Sequence, residues 1–547
     1  MNERDQGLWY KNAVLYGLDV ATFQDSNGDG IGDFPGLIDR LDYLTDLGVT
    51  CVWLLPFFPS PNRDNGYDVT DYLGVDPRLG TFDEFHRFVR KAGERGIRVL
   101  IDLVMDHTSN EHPWFRAARQ DPASRYRRYY TWTDSPPPHE PEKGNIFPDQ
   151  ESSVWTFDEV AGQYYYHRFY HFEPDLDVMH PEVREEIKRV IDFWLSFGVS
   201  GFRVDAVSHM IESPIPVADP ALVHDPHQVL RDLRSFASSR RTDVALLGEA
   251  DVKLEELRAF FGEGSELHLL YNFFLDNLLF LSLATGRAEP IERALRLLPS
   301  IPHECQWINF LRNLDELDLE RLTEDEREQV YVAFAPDPEM RIFGRGIRRR
   351  LAPMLGDPRK VRMALSLLFS LPGTPMLIYG DEIGMGENLS LDGRNAVRTP
   401  MQWSSARHAG FSTAAAQVLT VPVVTKGQFS YRRINVDRQV VEQDSTLNIA
   451  KRLIRLRRQC PEWGWGMCRV LATGEPGIFA HSCEWKGQRL IAVHNLAEKA
   501  ASVRLDREPE TTLTPLLPND CRSHGDSHRL EIPSYGYGWY RVEKTYH

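Results

Sequence analysis

A chain of 547 residues, 42% apolar and 26% charged, is too long for one small core and has the make-up of a soluble globular protein: a large α/β domain with one or two appendages. Its 63 basic and 79 acidic side chains leave a net charge of −16, which argues against nucleic acid or an anionic membrane as partner and suits a neutral ligand. No apolar run reaches the length of a membrane span, and the opening MNERDQGLWYKNAVLY lacks the basic-then-apolar pattern of a signal peptide, so a cytoplasmic protein is expected. The cysteines, Cys51, Cys305, Cys460, Cys468, Cys483 and Cys521, show no CxxC or ligand-like spacing and read as buried thiols of a reducing compartment.

In chain order, a strand-like run at 14–23 leads into DSNGDGIGD, where Asp25, Asn27, Asp29 and Asp33 alternate with turn-forming residues. Their oxygens can converge on a hard cation, with the Ile31 carbonyl contributing as in an EF-hand loop, although Gly36 stands where that loop carries Glu. The alternative is a tight polar turn satisfied by backbone amides. A second strand is expected at 51–57. A helix follows, capped by Thr81 with Glu84 completing the box, its apolar face formed by Phe82, Phe85, Val89 and Ala92 and its end marked by Gly96. The third strand, 98–105, gives way to a polar, aromatic stretch from 107 to 172 containing PPPHEP, and so long a connection is usually functional. The pattern resumes with a helix from Pro181, with Val183, Ile187, Val190, Ile191 and Trp194 facing inward, and with strands at 200–207, 243–250, 267–274, 307–313 and 376–379. Eight strands alternating with helices predict a (β/α)8 TIM barrel. After a helix around 449–458, short strands at 477–485, 488–496, 501–506 and 537–543 predict a terminal all-β domain. The expected divisions are barrel at 1–106 and 175–465, an inserted domain at 107–174, and a β-sandwich at 466–547.

Active sites of such barrels lie at the carboxyl ends of the strands, and the notable polar residues fall there. Asp68 follows the second strand, Asp106 and His107 close the third, Arg203 and Asp205 the fourth, Glu249 the fifth, and Asp315 the seventh. Paired carboxylates perform glycoside chemistry when one attacks the anomeric carbon and the other, kept protonated, supplies a proton to the leaving oxygen. An acid after a strand is singly more often a helix cap or an ion-pair partner.

DLVMDH, GFRVD, GEA and NLDE resemble the conserved regions of the α-amylase family, glycoside hydrolase family 13. WYKNAVLYG, the DSNGDGIGD loop and YGDEIGMGENLSLDGRNAVRTPMQW are most similar to its trehalose synthase and α-glucosidase branches. The resemblance implies a retaining enzyme with Asp205 as nucleophile, Glu249 as acid/base and Asp315 as transition-state stabiliser. Arg203 would hold the nucleophile by a charge-assisted hydrogen bond. His107 would donate to a sugar hydroxyl, Tyr67 would stack on the ring, and Asp68 paired with Arg398 would grip the non-reducing end. The substrate would be a small α-glucoside such as maltose, trehalose or sucrose. No organic cofactor is implied; structural calcium is, at Asp25, Asn27, Asp29, Ile31 and Asp33, with a second cation site mapping to Asp106, Asp175 and His209.

Some positions depart from the family pattern. Leu314 stands where a histidine usually precedes the third acid and donates to the substrate; leucine cannot. Asp106 replaces an Asn and EPDLD replaces QPDLN, whereas Ala206 is the small residue of α-1,4-active relatives. Isomerisation of maltose and trehalose, transglucosylation, and hydrolysis of α-1,4-linked sugars all fit, and a non-catalytic, amylase-like binding protein is the reading from another class.

Overall fold

A computed structural model describes residues 7–136, 145–212, 225–505, 511–517, 521–523 and 529–544. Eight parallel strands close into a barrel in chain order: Leu15–Leu18, Cys51–Leu54, Arg98–Leu103, Gly201–Val204, Ala245–Gly248, Leu269–Tyr271, Gln306–Phe310 and Thr374–Ile378. All eight predicted strands are present; the first seven are shorter than their apolar runs, which continue into the following loops, and the eighth, Thr374–Ile378, starts two residues before the expected 376–379. Helices cover the outside, so the strands are buried on both faces and read as continuous apolar stretches rather than alternating ones.

Both helices reasoned from sequence form. Phe82–Glu94 starts on a reciprocal box in which Thr81 Oγ1 accepts from the Glu84 amide while the Glu84 carboxylate accepts from the Thr81 amide. Its buried face is Phe85, Phe88, Val89 and Ala92; Phe82 is only partly buried and stacks on Trp194 and Phe197 of the next helical unit. Pro181–Ser196 buries all five expected apolar residues. Each turns into the following strand at a glycine of positive φ, Gly96 at +71° and Gly198 at +91°.

Between the third and fourth barrel strands, Trp132–Thr133, Gln163–Tyr166 and Trp155–Asp158 form a small antiparallel sheet with its own cluster of Val154, Trp155 and Tyr166. Of PPPHEP, all but Pro136 lies outside the described residues. An isolated bridge, His107 with Asp175, ties the two ends of the insertion together at the barrel rim.

The C-terminal region is all-β, with five-stranded and three-stranded antiparallel sheets. Strand Ile478–Trp485 alternates: Ile478 and Ala480 face Val503, Leu530 and Ile532 of the smaller sheet, while Phe479 and Cys483 join the main core of the molecule. The larger sheet packs on helix Pro358–Ser370, where Trp539 Nε1 donates to Ser366 Oγ at 3.0 Å. Asp506, expected at a strand end, lies outside the described residues, and the strand there is Ala501–Arg504. Among the described residues no helix is long and apolar enough to cross a membrane.

Candidate active site

At the carboxyl end of the barrel, a pocket of about 140 Å³ is lined by Asp205, Glu249 and Asp315 together with Tyr67, His107 and Arg203. The strand Gly201–Val204 places Arg203 inward on one face, and the chain then turns sharply at Ala206, whose φ of +45° presents Asp205 to the cavity. Arg203 is the hub. Its Nη1 donates to Asp205 Oδ1 at 2.7 Å, Asp102 Oδ1 at 2.6 Å and the Tyr67 hydroxyl at 3.1 Å, and its Nη2 lies 2.6 Å from Glu249 Oε2. One guanidinium therefore spans both acids, consistent with the separation, on the order of 5 Å, that displacement by a carboxylate requires.

The electrostatics differ from acid to acid. Burial pushes Glu249 above the usual carboxylate range; Arg203 opposes this, and the charges of Asp205 and Asp315 reinforce it. Burial acts the same way on Asp315, but Arg394 and Arg398, whose guanidinium groups both bond its Oδ1 at 2.7 and 2.6 Å, outweigh it and hold the carboxyl at about 2. One acid is thus poised to carry a proton and another to stay charged.

His107 closes one wall. Burial alone would lower its imidazole, but the Glu173 carboxylate, 3.9 Å from Nε2, and the Asp106 carboxylate at Nδ1 raise it to about 10. Among the described residues Nε2 has no hydrogen-bond partner, leaving a buried donor without a bond at the pocket.

The structure corrects several expectations. Asp68 does not meet Arg398: it is fully buried in its own turn, bonded by Ser60 Oγ at 2.6 Å and Arg63 Nε at 3.1 Å. Arg398 donates to the Leu314 carbonyl at 2.8 Å and to Asp315. The acid and base that line the pocket instead are Asp64 and Arg394, 3.9 Å apart. Positive φ at Asn65 and Gly66 reverses the chain, so Asp64 and Tyr67 share the cavity side and Asp68 is turned inward. Leu314, expected at the sugar, has φ +76°, is fully buried and is not among the lining residues; it contributes its carbonyl. Asp102 was missed although it opens the quoted DLVMDH. It accepts from Trp53 Nε1 and Arg203, and burial raises its carboxyl to about 7.

Around residues 25–33 the side-chain oxygens cap backbone amides. Asp25 Oδ1 accepts from Asn27 and Gly28 and Oδ2 from Gly30, Asn27 Oδ1 accepts from Asp29, Asp29 Oδ1 from Ile31, and Asp33 Oδ1 from Gly36. These are the bonds of a polar turn, and each capping carboxylate keeps further lone pairs. Asp106 is buried and Asp175, close by, is half-buried; desolvation, then the Asp106 charge, pushes the Asp175 carboxyl well up. His209 lies on the pocket wall with Nδ1 3.9 Å from Glu212, whose carboxylate bonds Arg168 at 2.7 Å. Among the described residues, the one group of three acidic, histidine or cysteine ligand atoms close enough to share an ion is Asp251, Asp318 and Glu320.

The alpha-amylase catalytic-domain family model matches residues 20–319 and 342–466. A trehalose synthase of Pimelobacter sp. is 40% identical over 91% of this chain and 89% of its own length. A trehalose synthase of Thermus thermophilus is 43% identical over 93% of this chain, which spans about half (52%) of that relative. An oligo-1,6-glucosidase of Parageobacillus thermoglucosidasius is 29% identical over 91% of the chain. Among solved structures, a trehalulose synthase bound to Tris superposes with a TM-score of 0.79 at 26% identity, covering 98% of this chain and 100% of the other. The chain belongs to the alpha-amylase family and is an α-glucoside-active enzyme of the glycoside-hydrolase type.

Proposed function

We propose that the enzyme interconverts maltose and trehalose by intramolecular glucosyl transfer. The observation that carries this reading is the single guanidinium of Arg203 joining Asp205 to Glu249 inside a small, roofed pocket. Asp205 attacks the anomeric carbon and Glu249 gives its proton to the departing glycosidic oxygen, leaving a β-glucosyl ester on Asp205. Esterification removes the Asp205 charge that helps hold Glu249 protonated, so Glu249 becomes the better base for the second step. The released glucose turns over, offers its anomeric hydroxyl to Glu249, and attacks the ester. Asp315, held ionised by two arginines, balances the positive charge that develops on the ring, and Asp64, Arg394 and His107 grip the hydroxyls.

Retention of glucose between the steps is what separates isomerisation from hydrolysis. The roof supports it: Arg345 Nη1 donates to the Ile146 carbonyl at 3.0 Å, and the Phe147 and Phe343 rings stand 4.7 Å apart, joining the insertion to a late barrel loop. With maltose and labelled free glucose, trehalose is expected with little label. Free glucose as the main product would make the enzyme an α-glucosidase, and heavy label in trehalose would mean that glucose leaves before it is transferred.

Calcium at the loop of Asp25, Asn27, Asp29, Ile31 and Asp33 belongs to the same proposal. The donors are hard oxygens, and a carboxylate that accepts an amide keeps further lone pairs for an ion. Adding calcium to chelator-treated protein is expected to raise the melting temperature by a few degrees, and Asp29→Ala to abolish the rise; no calcium effect in the parent would remove the ion from this loop.

A further inference from the structure

The terminal sheet brings two of the six cysteines face to face. Strands Met467–Val470 and Ile478–Trp485 pair antiparallel with Cys468 directly opposite Cys483. Opposed residues in such a pair have Cα atoms about 4.5–5.5 Å apart, within the window of about 4.4–6.8 Å that a disulfide requires. Both side chains therefore leave the sheet on the same face, and both are free thiols. They differ in access: Cys483 is buried in the main core, whereas Cys468 is half-buried beside Met467, which is 70% exposed. Burial, then the neighbouring Cys468 thiol, holds the Cys483 thiol well above its ordinary range.

The geometry points to Cys468 and Cys483 as a thiol pair that closes reversibly into a cross-strand disulfide by exchange with a small-molecule disulfide. The accessible Cys468 thiolate attacks one sulfur of the oxidant and expels the first small thiolate, leaving a mixed disulfide on Cys468. The Cys483 thiolate then attacks the Cys468 sulfur and expels the second. Two protein thiols are oxidised, one external disulfide is reduced, and the two protons pass to the released thiolates. The second step is the slower, because the buried thiol gives up its proton reluctantly, and it accelerates as pH rises.

The location gives the bond a purpose. Met467–Val470 is an edge strand of the five-stranded sheet, with no fully buried residue, and is a strand able to fray. It follows directly from the short helix Glu462–Trp465, which is wedged under the barrel by the hydrogen bond from Gln306 Nε2 to the Gly464 carbonyl. A bridge at 468 and 483 would pin this junction without touching the pocket. The other cysteines are placed differently: Cys51 and Cys305 are buried in the barrel, and Cys460 packs against Arg541.

The test is to equilibrate the full chain with oxidised glutathione, quench with acid, alkylate, and map peptides without reduction. The expected product is a peptide pair joined through Cys468 and Cys483, formed faster at higher pH, with a melting temperature a few degrees higher that returns on reduction and with kcat unchanged. Cys468→Ser, at a half-buried position, should fold normally and lose both the linkage and the stabilisation. A glutathione adduct that persists on Cys468, a bridge from Cys483 to Cys460, or a stabilisation that survives in Cys468→Ser would overturn the assignment.

Discussion

Asp205→Asn is expected to lower kcat on maltose by on the order of 10⁴-fold or more while leaving the melting temperature near that of the parent. Asparagine keeps the shape and the Oδ1 acceptor that Arg203 bonds at 2.7 Å, so the fold has little reason to change. What it lacks is the charged oxygen that displaces the leaving group. The same substitution removes a neighbouring negative charge from Glu249, one of the influences that keep that acid protonated. The Glu249 titration should therefore move down in the variant, a readout that a merely structural Asp205 would not give. Retention of a tenth of the activity would take Asp205 out of the chemistry.

Arg203→Met is expected to cost both activity and stability, about 3–5 kcal/mol of the latter, because a buried cation shared by Asp102, Asp205 and Glu249 cannot be removed without stranding carboxylates. The pH dependence carries the sign of the argument. Asp102 already titrates at about 7, above its unfolded value of about 3.8, so its penalty is absent below the unfolded value and grows as pH rises through the folded one. Without the guanidinium, Asp102 and Glu249 shift further up. The melting-temperature deficit of the variant should therefore be larger at pH 8 than at pH 5; a deficit independent of pH would mean that packing, not charge, is what Arg203 supplies.

Much of this fold was legible because the parallel strands are buried on both sides and so appear as unbroken apolar runs, several of them followed closely by a polar residue. Asp205, Glu249 and Asp315 stood out for that reason, and their roles followed from the resemblance of GFRVD, GEA and NLDE to the family's motifs. The clamp at the far end of the sugar could not. RNAVR holds two arginines, Arg394 and Arg398, and DNGYD holds two acids, Asp64 and Asp68; spacing alone does not say which of each faces the cavity. Backbone conformation decides it. The positive φ of Asn65 and Gly66 sends Asp68 inward, and the 3-10 turn Gly393–Val397 presents Arg394 to the pocket while Arg398 bonds the Leu314 carbonyl from behind. Nor does the sequence announce that Leu314 adopts φ +76°, a conformation unusual for leucine, which keeps its side chain out of the pocket. The loop at 25–33 shows the same limit from another side: its acidic spacing suits an ion, yet each carboxylate also has a local amide to cap, and both uses give the same residues.

The central claim is that a glucosyl group is passed through Asp205. Incubating the enzyme with a fluorinated glucosyl fluoride that reacts quickly but turns over slowly, then digesting and sequencing the labelled peptide, tests it most directly. The account predicts a sugar ester on Asp205 and none in Asp205→Asn. An ester on Glu249 or Asp315, or turnover with no ester trapped at all, would contradict it.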